Sequence, residues 1–92
     1  MKVEIVSPDK KLFESEADLV ALPGITGEFA IANNHAPMIS LLKAGKIRIK
    51  GNNLQVDEDN EDVFIREKDS LILPINGGAI EMKNNRLIIL ID

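Results

Sequence analysis

One histidine, fifteen acidic residues and no cysteine set the limits on what this chain can do chemically. His35 lies in Asn33-Asn34-His35-Ala36-Pro37, a loop composition. A general base needs a partner group and a cleft. No serine or paired carboxylate stands at a spacing that would serve it, so His35 reads as a loop histidine that bonds backbone or touches a partner. Asp57, Asp59 and Glu61 alternate as the first ligands of a calcium loop do. The sixth position of such a loop takes glycine for its sharp turn, and here it is Asp62. A solvated, mutually repulsive loop is the simpler reading, and no metal is expected. Pro23-Gly24-Ile25-Thr26-Gly27-Glu28-Phe29 concentrates rigid and permissive backbone positions. A glycine loop that cradles phosphate needs a helix N-terminus behind it. A strand follows instead, which leaves a shaped, exposed turn suited to contact.

The absent cysteines remove disulfides, thiolate metal sites and a cysteine nucleophile. A single histidine removes sites with several histidine ligands. The only aromatics are Phe13, Phe29 and Phe64, so platforms for stacking nucleobases or sugars are nearly lacking. Glu81-Met82-Lys83 beside a hairpin turn invites comparison with the modified lysine of biotinyl and lipoyl carrier domains. There the lysine stands on the turn, mid-domain. Here the turn is Asn84-Asn85, and only one strand follows. A carrier or adapter sandwich is the alternative function. No catalytic residue and no cofactor are expected.

The formal charge of −4 is unevenly spread. Residues 57–69 hold seven acids and two bases, while the remainder is close to neutral. No basic stripe suits nucleic acid, and no apolar run approaches the roughly 20 residues of a membrane helix. Met1–Val6 alternates polar and apolar residues without the composition of a signal or transit peptide. Ninety-two residues suffice for one domain, burying about 64% of its unfolded surface.

The elements that must position these residues read as short strands. Apolar runs are broken by Pro, Gly or Asn every 6 to 12 residues. Lys46–Lys50 alternates cleanly, with Ile47 and Ile49 inward. Further strands are expected at residues 2–6, from 12, 18–22, 28–32, 38–42, 54–56, 63–65, 71–75, 79–83 and 86–91. Asn84-Asn85 should close a two-residue hairpin, because Asn accepts positive φ. The stretch 52–73 lacks Gly and Pro and has room for a helix, but Val63-Phe64-Ile65 and Leu71-Ile72-Leu73 are compact β-type runs. The prediction is an all-β fold, a single β-sandwich of about ten short strands over residues 1–92, with an acidic insert or loop at 52–69.

Taken together, Pro23-Gly24-Ile25-Thr26-Gly27-Glu28-Phe29-Ala30-Ile31 and His35-Ala36-Pro37-Met38-Ile39 resemble the signature of the epsilon subunit of bacterial and chloroplast F-type ATP synthase. That family reads Pro-Gly, two residues, Gly-Glu, two residues, Ile, then His-Ala-Pro and two apolar residues. Val3–Pro8 resembles its opening strand and turn. Lys43–Ile49 resembles its Lys-Pro-Gly…Ile-Arg-Ile element, with Ala44 in place of Pro, and Gly77–Met82 with Arg86–Leu90 resembles its closing hairpin. Residues 52–69 depart from it, being longer and more acidic.

The resemblance implies a non-catalytic rotor subunit on the central stalk. Its partners would be the gamma subunit, the c-ring and, within the whole complex, the α and β subunits. It would lie peripherally on the cytoplasmic face of the bacterial inner membrane and couple proton flow to ATP synthesis. Carried over position by position, Glu28, Asn33 and His35 would meet the c-ring, and Ala36, Pro37, Met38 and Ile39 would meet gamma or the ring. The family usually continues into an inhibitory C-terminal helical hairpin. The sequence ends at Asp92, so the expectation is a sandwich domain without helix-based inhibition.

Overall fold

Ile, Val and Leu at every second position dictate the architecture. Such alternation gives a strand one apolar face, which must be covered by another layer. The computed structural model describes residues 1–92. It contains β1 (Lys2–Val6), β2 (Lys11–Glu16), β3 (Leu19–Gly24), β4 (Gly27–Ala32), β5 (Met38–Lys50), a 3-10 helix (Glu58–Val63), β6 (Ile65–Glu67), β7 (Ser70–Lys83) and β8 (Arg86–Ile91). The strands hydrogen-bond in the order β2-β1-β8-β7-β5-β3-β4, with β6 also on β7. All neighbours are antiparallel except β1 and β8. No helix is long and apolar enough to cross a membrane.

This one continuous sheet folds over on itself. The β5–β7 ladder runs from Met38↔Met82 to Lys50↔Ser70 but is interrupted at Ala44 and Asn76. On one side of that break, residues 38–43 and 78–83 lie with β8, β1 and β2. On the other, residues 45–50 and 70–75 lie with β3, β4 and β6, although after a register shift Gly24 at the end of β3 reaches across to Leu42. Strands that pass from one layer to the other make the corners of a sandwich. Gly78 permits the corner: a Cβ there would collide with the Leu90 carbonyl oxygen of the paired strand. The core forms between the layers. Val3, Ile5, Ile80, Met82, Leu87 and Ile89 come from the first layer. Val20, Leu22, Ile31, Ile47, Ile49 and Leu71 come from the second. Each fully buried Ile or Leu contributes about 1.5–3 kcal/mol of transfer free energy before entropy is counted.

The all-β sandwich is as expected, but it has eight strands rather than about ten. Residues 38–42 and 46–50 are halves of β5, and 71–75 and 79–83 are halves of β7. Ala44-Gly45 and Gly77-Gly78 read as breaks in sequence, yet they bend the strands without ending them. Leu54–Val56 pairs with nothing, and Val63 closes the 3-10 helix, so only Ile65–Glu67 joins the sheet. The acidic segment is fastened to the edge strand β2. Phe64 packs on Phe13 with ring centroids 5.8 Å apart. The Gln55 N–H donates to Ser15 Oγ at 3.3 Å, and Asn60 Nδ2 donates to the Lys11 carbonyl at 3.4 Å. An edge strand is thereby covered by a charged segment, a common protection against edge-to-edge pairing.

Candidate functional site

Glu28 and His35 belong to the two ends of one strand. β4 is the last strand of the sheet, paired only with β3. Its entry is the turn Gly24-Ile25-Thr26-Gly27, where Gly24 and Gly27 are partners and Gly27 takes φ +139°. Ile25 stands on this turn with 58% of its surface exposed. Glu28 follows, exposed and opposite Pro23. Phe29 and Ile31 turn inward, so Glu28, Ala30 and Ala32 share the outer face. At ~3.3 Å per residue, Glu28 is about 16 Å from Asn33. The open edge of β4 joins them in one line.

The far end is held by amide side chains. Asn33 Oδ1 accepts from the Met1 amino group, and the Asn34 N–H donates to Asn85 Oδ1 at 2.7 Å. Asn34, Asn84 and Asn85 all adopt positive φ, at 63°, 54° and 58°, as anticipated for the Asn84-Asn85 hairpin. The His35 N–H donates to the Ala32 carbonyl at 3.3 Å, and its Nδ1 lies 2.7 Å from the Ala36 carbonyl oxygen, a geometry in which the ring donates. His35 is thus an exposed loop residue bonding backbone. These loops border the largest depression, about 640 Å³, lined mainly by Asn, Gln and acidic side chains. No group of three acids or histidines is placed to hold a metal ion. Asp57, Glu58, Asp59, Glu61 and Asp62 are all exposed to solvent.

Ala36 and Pro37 lead directly into β5. Met38 is half-buried against the core, and its neighbour Ile39 points outward. Ile39 is 77% exposed and Leu41 63% exposed on the outer face of the first layer. Register extends this patch: Leu41 opposes Ala79, and Ala79 opposes Leu90, itself 53% exposed. Leu41 and Leu90 were missed in the sequence. The signal was there, since Ile39 and Leu41 share a parity while Met38 and Leu42 hold the other, giving a strand apolar on both faces.

Beside the apolar patch the same layer carries paired charges. Glu4, whose side chain is 10% exposed, accepts from Arg86 Nε at 3.0 Å and also from its Nη2. This charge-assisted bond holds the Glu4 carboxyl below the usual range against the opposing cost of burial. Glu14 is pulled down to about 2, chiefly by Lys11 and then by Lys2. Lys11 is raised in turn, mainly by its bond to Glu14. These groups satisfy one another's charge across the β1–β2–β8 face.

Comparison with known proteins agrees with the geometry. The family model for the ATP synthase delta/epsilon chain β-sandwich domain matches residues 1–92. Curated relatives named ATP synthase epsilon chain include one from Polynucleobacter necessarius, 33% identical over 92 residues, covering 100% of this chain and 56% of the relative. Another, from Leptospira interrogans, is 36% identical over 93 residues and is covered to 61% of its length. A third, from Chlorobium limicola, is 35% identical over 91 residues, covering 99% of this chain and 88% of the relative. The chain thus spans little more than half the length of some relatives and most of another. Among solved structures, a chain in the cryo-electron microscopy structure of the central stalk/c-ring of Tetrahymena thermophila mitochondrial ATP synthase has the same fold. Its TM-score is 0.70 at 15% identity, covering 99% of this chain and 62% of that one.

Proposed function

The chain belongs to the ATP synthase delta/epsilon family, and we propose that it works as a non-catalytic rotor subunit, binding the gamma subunit and the c-ring and coupling proton flow to ATP synthesis. The observation that carries this reading is the apolar patch Ile39, Leu41 and Leu90 on the outer face of the first layer. A folded chain of this size gains nothing by exposing three large aliphatic side chains around Ala79 on one face, and such a patch marks a protein interface. In this reading gamma covers the patch, Ile39 included, together with Ala36, Pro37 and Met38. The line along the β4 edge, from Glu28 through Asn33 to His35, rests on the ring, where Glu28 accepts a charge-assisted hydrogen bond. The complex would place the chain on the cytoplasmic face of the bacterial inner membrane, without inserting it.

The test is co-purification from native membranes. A tagged chain is expected to bring gamma with the α and β subunits, and recovery of the chain alone would overturn the reading. Glu28→Lys should weaken attachment to membranes containing the c-ring by about tenfold, the equivalent of one charge-assisted bond. Unchanged attachment would remove Glu28 from the ring contact.

A further inference from the structure

The second layer carries a charged face of its own. Ile47 and Ile49 are fully buried, so Lys46, Arg48 and Lys50 project together from the outer side of β5. Alternate strand residues stand about 7 Å apart, and the row is about 14 Å long. The second-layer half of β5 is interior, flanked by β3 and β7, so the row runs down the middle of the sheet. Its β3 side is low: Ala21 opposes Arg48 and then Ala30. Glu67 pairs with Arg48 at 3.1 Å, while Lys46 and Lys50 belong to no ion pair. In the first layer Lys2, Lys11 and Arg86 are neutralised by Glu4 and Glu14, and the unpaired Lys43 and Lys83 stand singly on different strands rather than in a row.

We infer that the Lys46-Arg48-Lys50 row is a docking surface for an acidic polypeptide segment of a partner protein. That segment would lie across the outer face with carboxylates spaced about 7 Å apart, as at alternate residues of an extended chain. Acidic residues flank the row on both sides: Glu28 on the outer face of β4, and Glu67 on β6. A broad anionic plane such as a lipid surface meets these flanking charges, whereas a narrow segment passes between them. The row faces away from the apolar patch, and the inference does not rest on the rotor reading.

The test uses the 92-residue chain, isotope-labelled, at low salt. The probe is a capped peptide with Glu at alternate positions. The expected result is a set of amide shifts confined to residues 46–50 and their neighbours on β3 and β7, with affinity falling steeply as salt is raised. Lys46→Gln with Lys50→Gln should weaken binding about tenfold or more, and both residues are exposed, so the fold is kept. The Gln-substituted peptide should not bind. Equal binding by that peptide, undiminished binding by the double variant, or shifts centred elsewhere would overturn the proposal. So would binding to anionic vesicles but not to the peptide. Concentration-dependent shifts without peptide, spanning the row and residues 57–62, would instead identify a second copy as occupant and overturn it as well.

Discussion

Glu4 and Glu14 stand directly opposite each other across the β1–β2 pair, and Lys11 reaches both, at 3.5 Å and 2.7 Å. Like charges so placed repel. Arg86 on Glu4 and Lys2 on Glu14 turn the repulsive pair into a closed network. Both carboxyls are held below their unfolded value near 4.5. Their contribution to stability is therefore full above that value and is lost as pH falls toward 2. Urea unfolding at pH 7 and pH 3 should show a clear loss at the lower pH. Glu4→Gln with Glu14→Gln should flatten that dependence, and an unchanged slope would mean that other carboxyls set the acid limb.

Gly78 is expected to tolerate no side chain. Gly78→Ala puts a methyl group against the Leu90 carbonyl and must push β7 and β8 apart. A loss of about 1–3 kcal/mol in the unfolding free energy, read from urea denaturation, is expected. A substitution without cost would mean that the corner yields more freely than its geometry implies.

Phe64 is the anchor of the acidic segment. Phe64→Ala removes the ring that packs on Phe13 and should cost roughly 3 kcal/mol. Amide exchange should quicken at residues 54–63 and at Leu12–Phe13, while the β5–β7 ladder stays protected. Uniform quickening throughout would show that the segment is not a separate unit.

Ile39→Asp with Leu41→Asp should leave the isolated chain folded, because both side chains point to solvent. On the proposed reading that gamma covers this patch, binding to gamma should fall by tenfold or more, as expected on putting charge into a buried apolar contact. Calorimetry on the purified pair measures it, and retained affinity would place gamma elsewhere.

The sequence was most legible where periodicity and turn chemistry are local. Alternation at Lys46–Lys50 gave the inward pair Ile47 and Ile49, and Asn84-Asn85 gave its hairpin because positive φ is a property of those residues themselves. The joining of 38–42 to 46–50 was not legible. A glycine that bends a strand and one that ends it look alike until the partner strand is known, and Gly77-Gly78 lies over thirty residues away in the chain. The 3-10 helix was hidden for another reason: six residues are too few to establish a period. At the candidate site, Glu28 and His35 were found as neighbours in a motif. That they mark opposite ends of an edge strand followed only from the register of β4 on β3.

The crossing of β5 and β7 between layers has a mechanical consequence. In a sandwich of separate sheets, a sideways force on one layer reaches the other through side-chain packing alone, and the layers can creep past each other. Here two covalent backbones, of 13 and 14 residues and hydrogen-bonded to each other on both sides of the bend, run through the corner. Shear applied to one layer is carried into the other as tension along these chains. The domain should deform as one stiff block, a property that the proposed rotor role would require.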